Sequence, residues 1–334
     1  MPTLNNKNTP LLEIRNLSVE FSTYNGTAKV LENVRLNLQA GEILGLVGET
    51  GCGKSVLARS ILNLIAQPPG RITSGEVFFK GVDLRKISNR QMRSIRGNEA
   101  SMIFQEPMSS LNPVFTVGSQ MIELVHLHQG LGKKQAGELC VDMLRQVQMP
   151  DPDQVIKKYP HELSGGMRQR IMIAMELSCK PSLLIADEPT TALDVTIQGQ
   201  VLTILTNLAR RDNIAVLLIT HDMGVVAQVC DRVAVMYAGK IVEVAPVREL
   251  FSRSAHPYTS GLIGSIPGQN TNEKKLISIP GRVPSLINPP RGCRFHTRCN
   301  KRLEMCERLD PCFYPIGEHH KVACHLYKQR KTSN

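Results

Sequence analysis

Gly48, Glu49, Thr50, Gly51, Cys52, Gly53, Lys54 and Ser55 make a glycine-rich octapeptide ending in lysine and serine, a spacing suited to chemistry on phosphate. Glycines let the backbone curl so that successive N–H groups point at an anion. Lys54 adds a full positive charge, and Ser55 offers a hydroxyl to Mg²⁺. The apolar run Ile43 to Val47 precedes the octapeptide and the helical pattern Val56 to Ile65 follows it. Strand, turn and helix N-terminus therefore arrive in the order a phosphate cradle needs, and the stretch implies a nucleoside triphosphate site.

A second run, Leu183 to Ala186, ends in Asp187 and Glu188. Two adjacent acids at the end of a buried strand can divide the work of phosphoryl transfer to water. Asp187 holds Mg²⁺, directly or through water, and Glu188 polarises the attacking water. Ser164, Gly165 and Gly166 open a helical pattern, so their N–H groups and hydroxyl form a second potential anion site. One triphosphate does not need two cradles unless two chains share it.

Five of the nine cysteines fall between Cys293 and Cys324, in the spacing C-x5-C-x6-C-x17-C with Cys312 as an extra. Such crowding in a cytosolic chain favours metal over disulfide, although no close C-x-x-C pair is present. An iron–sulfur cluster, a structural zinc and no metal at all stay open from spacing alone. His296, His319, His320 and His325 read as solvated loop histidines that could substitute as ligands.

Leu12 to Phe21, Lys29 to Leu38, Gly75 to Phe79 and Met102 to Phe104 read as strands, giving a β-rich N-terminal half. From Thr116 to Met149 the apolar spacing is helical, with a turn at Gly130 to Gly132, and a mostly helical insertion over about 106–165 is expected. After Ser164 the chain alternates: helix 165–178, strand 183–186, helix 196–210, strand 215–220, helix 223–229, strand 233–237. That order implies a parallel sheet with helices on its faces. From about Pro246 the periodicity fades and Pro and Gly accumulate, so a boundary is expected near residue 250, giving regions 1–250 and 251–334.

The 334 residues are 42% hydrophobic, ample for a buried core, and carry a formal net charge of +11. That excess fits nucleic acid, an anionic membrane face or a solvated basic surface. With 4% aromatics and no tryptophan, stacking platforms for bases look scarce. No apolar run approaches the ~20 residues needed to cross a bilayer and the N-terminus is polar, so the expectation is a cytosolic protein, peripheral to a membrane at most.

Taken in order, these motifs resemble the ATP-binding cassette family over roughly residues 11–250. Gly48 to Ser55 is similar to Walker A, and Gln105 within Met102 to Pro107 to the Q-loop. Leu163 to Met167 resembles the signature, Asp187 and Glu188 Walker B with its catalytic glutamate, Ala192-Leu193-Asp194 the D-loop, and His221 the switch histidine. The resemblance implies a P-loop α/β cassette with a parallel-sheet core, an antiparallel β subdomain and a helical subdomain. It also implies a head-to-tail pair of cassettes, each ATP lying between one chain's Walker A and the other's Ser164 and Gly166. Ser55, Gln105 and Asp187 are the implied Mg²⁺ residues; Glu188, Gln105 and His221 are the implied catalytic ones. With no arginine finger at a matching position, transition-state charge falls to Lys54, Mg²⁺, His221 and the opposing signature N–H groups.

Three finer expectations follow. The adenine rests on Phe21, with Tyr24 as second choice. Cys52, at a helix N-terminus beside Lys54, is expected to have a lowered thiol pKa, with alkylation blocking nucleotide binding. Met167 stands where the signature commonly ends in glutamine, as is common in peptide-importer relatives.

His256 to Thr259, Ile279 to Pro284, Gly292-Cys293, Cys299, Cys306 and Val322 to His325 resemble the tail of oligopeptide, dipeptide and nickel importer ATPases. That resemblance implies a 4Fe–4S cluster at Cys293, Cys299, Cys306 and Cys324. It implies the ATP-hydrolysing subunit of a bacterial importer for di- or oligopeptides, on the cytoplasmic face of the cell membrane. Its partners would be two permease subunits, a paralogous ATPase and an extracytoplasmic solute-binding protein, with no nucleic acid. Nickel or metallophore import is the alternative, and a soluble cassette ATPase acting on nucleic acid a more distant one.

Overall fold

In the computed structural model, residues 9–105, 111–190, 194–266 and 279–331 are described. They fall into two compact units. One holds Leu38–Glu42 and Lys86–Ile219; the other holds Leu12–Asn37, Ile43–Arg85 and the chain from Thr220 onward. The boundary expected near residue 250 therefore lies inside the second unit.

In the second unit, β1 (Leu12–Thr23), β2 (Gly26–Leu38), β4 (Gly70–Phe79) and β5 (Val82–Asp83) form a sheet in the order β2-β1-β4-β5. β1 and β4 run antiparallel with Phe21 opposite Gly70; Leu12 and Ile14 turn inward before a shift in register at Arg15–Ser18, and Leu17 and Val19 in the stretch around and beyond it. This is the antiparallel β subdomain expected from the N-terminal half. The same unit holds β3 (Ile43–Val47), whose five residues are all buried, parallel to β9 (Arg232–Tyr237). An apolar run without alternation is what a strand covered on both faces requires.

Beyond β9 the sheet continues through β10 (Lys240–Pro246) to β12 (Lys321–Val322) and β11 (Tyr314–Pro315), all antiparallel. Two helices follow β10, at Val247–Arg253 and Pro257–Gly264. Neither was legible in the fading periodicity after Pro246, because each spans about two turns and the second begins at a proline.

In the first unit, β6 (Ala100–Ile103), β7 (Leu183–Asp187) and β8 (Ala215–Ile219) pair in parallel, in that order. Helices Val117–Gln129 and Lys133–Gln146 lie within the stretch whose apolar spacing reads as helical and pack against helix Gly165–Ser178. Their inward residues are Met121 and Val125 from the first and Cys140 and Leu144 from the second. Helix Val195–Arg211 runs unbroken through Gly199, where a Cβ would meet open space. Among the described residues no helix is long and apolar enough to cross a membrane.

Candidate functional site

The phosphate loop leaves β3 at Gly48 and enters α1 (Lys54–Ile61) through Gly53, which has a left-handed φ of 110°. A Cβ at Gly48 would lie 2.1 Å from the Met236 carbonyl oxygen, so only glycine lets the loop start this close to β9. Lys54 is buried and its Nζ donates to the carbonyl oxygens of Gly48 (2.7 Å) and Glu49 (3.3 Å). The lysine thus folds back over the loop it must share with a phosphate. Ser55 follows half-buried in the first turn, while Thr50 and Gly51 are exposed at the loop's crest.

Cys52 overturns one expectation. It is fully buried, and burial raises its thiol pKa by more than the nearby Lys54 charge lowers it. The helix terminus and lysine were the right neighbours, but the cost of placing a thiolate in an apolar interior is larger.

Two side chains from the C-terminal region reach the same loop. The Tyr258 hydroxyl accepts from the Glu49 N–H at 2.9 Å, and Arg298 forms a two-pronged pair with the Glu49 carboxylate at 2.6 and 3.0 Å. Neither contact was anticipated: Tyr258 stood out only as part of the tail, Arg298 only as one of many basic residues. No local pattern could report pairing partners 249 residues apart.

In the other unit Asp187 ends β7 buried, and Glu188 follows half-buried with a left-handed φ of 47°. Its N–H donates to the Ile219 carbonyl (2.9 Å), and Gln105 Nε2 donates to its carboxylate at 3.1 Å. A non-glycine residue in this backbone region is held by its surroundings, and such strain concentrates where a side chain must be aimed. The motif residues Glu106 and Pro107 lie outside the described residues.

Ser164 caps helix Gly165–Ser178, its hydroxyl accepting from the Met167 N–H at 3.3 Å, and is itself exposed. Its neighbours Gly165 and Gly166 form the first turn. Asp194 caps the next helix through the Ile197 N–H at 2.9 Å, while Ala192 and Leu193 lie outside the described residues. His221 is exposed one residue before Asp222, which caps helix Met223–Val229. Phe21 is half-buried near the end of β1, and Tyr24 lies fully exposed in the turn to β2.

Cys306 and Cys324 are buried, Cys293 and Cys299 half-buried, Cys312 exposed. Burial pushes the Cys293 thiol up to about 12, with further increments from Cys306, Cys324 and Cys299; Cys324 is raised to about 11 in the same way. Among the described residues no group of three or more His, Cys, Asp and Glu could hold a metal ion. The metal centre expected from the tail does not appear as a ligand shell among the described residues. Two of the histidines also differ from expectation. His320 is fully buried, its Nε2 2.8 Å from Glu243 Oε1, and His325 is buried with Nε2 2.8 Å from the Leu309 carbonyl. These two belong to the packing of the C-terminal region rather than to solvent, while His319 is exposed.

A phosphate loop on a buried strand, together with an acidic pair ending a parallel strand, defines the class: a P-loop nucleoside triphosphatase. Comparison with known proteins narrows this. The ABC transporter family model matches residues 31–191, and the model for the oligopeptide/dipeptide transporter C-terminal region matches residues 242–306. The chain is 48% identical over 320 residues to the dipeptide transport ATP-binding protein DppD of Bacillus subtilis, covering 96% of each chain. It is 45% identical over 319 residues to the oligopeptide transport ATP-binding protein OppD of Salmonella typhimurium, covering 92% of this chain and 95% of that protein. Among solved structures, the dimeric ATP-binding cassette MJ0796 superimposes with a TM-score of 0.64 at 24% identity, over 71% of this chain and 99% of the other, which shows the cassette fold. The chain belongs to the ABC transporter ATP-binding family, in the branch that carries the oligopeptide/dipeptide C-terminal region, and is an ATPase subunit.

Proposed function

We propose that this chain energises import of di- or oligopeptides through a membrane permease. The observation that carries the reading is the match to the peptide-type C-terminal region, at near full-length identity to dipeptide and oligopeptide transport ATP-binding proteins. The names of those relatives favour peptide over nickel, the alternative that the shared tail left open. In this reading the chain docks peripherally on two permease subunits, pairs with a second cassette and serves an extracytoplasmic solute-binding protein. Uptake of labelled di- and oligopeptides by vesicles holding the reconstituted complex tests it. ATP-dependent uptake of nickel without peptide uptake overturns it.

The roles follow from chemistry at each residue. The loop of residues 48–55 binds the phosphates through Lys54 and the backbone N–H groups not already given to Tyr258 and the Glu49 carbonyl, and Phe21 carries the adenine. Ser55, Asp187 and Gln105 offer oxygen atoms, the ligand type Mg²⁺ prefers, and that ion would screen the phosphate charge. Glu188 orients and polarises the attacking water, its carboxylate aimed by Gln105. Ser164, Gly165, Gly166 and Asp194 serve the ATP of the opposing cassette, and His221 stabilises the charge developing in transfer.

The cysteine set fits a 4Fe–4S cluster in ligand type and number, and Cys299, Cys306 and Cys324 lie close enough to Cys293 to raise its pKa by their charge. A cluster gives each cysteine its own iron, so the four need not converge on one point as a single ion demands. Cys293, Cys299, Cys306 and Cys324 are the proposed holders, and the group would act as a cross-link within the C-terminal region. Iron and acid-labile sulfide in anaerobically purified protein, both lost on Cys299→Ser, check this assignment.

A further inference from the structure

Glu49 presents a puzzle: it is a carboxylate inside a loop built to receive phosphate. A free negative charge there would oppose an incoming triphosphate, because like charges in a partly screened site repel strongly. The structure shows where that charge goes. Arg298 Nη1 donates to Glu49 Oε2 at 2.6 Å and Nη2 to Oε1 at 3.0 Å, the forked geometry in which guanidinium and carboxylate pair best. The guanidinium is itself fixed, since Nε donates to the Pro280 carbonyl at 2.8 Å and Cζ lies 5.8 Å from the Tyr237 ring centroid. Its side chain is only 4% exposed.

Tyr258 holds the same residue by its backbone. The fully buried hydroxyl accepts from the Glu49 N–H, and Tyr258 sits in the first turn of helix Pro257–Gly264, capped by the His256 side chain. The rings of Tyr237, Tyr258 and Phe295 pack edge to face or tilted, with centroids 4.6–5.4 Å apart, behind both contacts. The second residue of the phosphate loop is therefore gripped at main chain and side chain by the C-terminal region.

We infer that Arg298 is a positioning residue for nucleotide binding: it neutralises Glu49 and draws that carboxylate away from the phosphates, while Tyr258 fixes the loop's first turn. The inference rests on the reading of residues 48–55 as the ATP site and assigns to the C-terminal region a direct part in nucleotide affinity. Its signature is suppression. Removing Arg298 alone strands the carboxylate beside the phosphate site, whereas removing both charges does not, and replacing a buried ion pair with neutral groups is commonly tolerated.

The test is equilibrium binding of MgATP and MgADP to the full-length chain. Arg298→Met is expected to weaken MgATP about 10-fold, the equivalent of about 1.4 kcal/mol, and MgADP by less because it carries less charge. The double variant Glu49→Gln/Arg298→Met is expected to return to within about 3-fold of Glu49→Gln alone, a rescue that loss of Arg298 packing by itself cannot produce. Unchanged MgATP affinity in Arg298→Met, or a double variant as weak as that single one, overturns the inference. Should Arg298→Met not fold, Glu49→Gln decides. The freed Arg298 charge should tighten MgATP about 3-fold at low salt, and a 10-fold weakening overturns the inference. Wild-type protein that binds no MgATP would instead sink the nucleotide-site reading itself.

Discussion

Gln105 Nε2 donates to Glu188 Oε2 across 3.1 Å, linking the residue two beyond β6 to the residue that follows β7. The two strands are parallel neighbours, so their C-terminal ends bring the amide and carboxylate together without any long excursion of the chain. The amide fixes the direction of the carboxylate, as the water-polarising role proposed for Glu188 requires. Glu188→Gln keeps shape and loses charge; turnover should fall at least ~100-fold while ATP stays bound. Single-turnover hydrolysis with retained radiolabelled ATP is the check, and unchanged turnover would remove Glu188 from its role. Gln105→Ala should cost turnover less, about 10-fold, since the Glu188 carboxylate survives without its guide.

Gly48→Ala tests the close approach of loop and β9. The new Cβ would fall 2.1 Å from the Met236 carbonyl oxygen, and backbone cannot yield as a flexible side chain can. Overpacking of this kind costs about 1–3 kcal/mol, and the loop should lose MgATP binding as β3 and β9 are pushed apart. Gly51→Ala is the matched control for space, because nothing lies within 4 Å of its Cβ position; only the left-handed φ of 80° opposes it. Thermal denaturation with and without MgATP should separate the two variants.

Thiol chemistry should invert the order that neighbouring charge alone predicts. Cys52 is fully buried with its pKa raised, while Cys312 is exposed at the surface. Reaction needs an accessible thiolate, so a brief treatment with iodoacetamide should label Cys312 first and spare Cys52 in folded protein. Peptide mapping by mass spectrometry reads the order directly. Cys52 labelled as fast as Cys312 would show the loop opens far more readily than its packing implies.

What could be read along the chain was what is local. Ile43 to Val47, Leu183 to Ala186 and Ala215 to Ile219 are unbroken apolar runs because each strand is covered on both faces, and the proposed site residues begin at the ends of the first two. The Ser164 cap was likewise visible, since a cap and the N–H it accepts from lie three residues apart. Contacts across the chain were not. Arg298 on Glu49, Tyr258 on the same residue and His320 on Glu243 join segments dozens to hundreds of residues apart, and no periodicity encodes them. The sign of the Cys52 shift was lost for a related reason, because burial depends on what the rest of the fold lays over the loop.

The buried His256 makes the C-terminal region sensitive to acid. Desolvation depresses its pKa from 6.5 to about 4, with Glu243 pulling the other way. Its Nδ1 accepts from the Tyr258 N–H at 3.1 Å, a bond that only the neutral ring can make. The Glu243 carboxylate lies against the His256 backbone, and Phe295 tilts against the ring at 5.7 Å. In the unfolded chain the ring takes a proton near 6.5, in the folded chain only near 4, so the unfolded state binds more protons between these values. Stability is therefore fully present above about pH 6.5, is lost as pH falls toward 4 and then levels, with a total of about 3 kcal/mol for this one group. Burial works to raise Glu243, but bonds from His320 and from the N–H groups of Ala255 and His256 leave it below the usual carboxylate value. Its contribution is thus also lost as pH falls, in a lower window that begins near its ordinary value of 4.5. Urea unfolding at a series of pH values should show midpoints falling from pH 6.5 to 4 in wild type. His256→Asn, which can still accept the Tyr258 N–H, should flatten that window, and an unchanged slope would show that the histidine titrates freely in the folded protein.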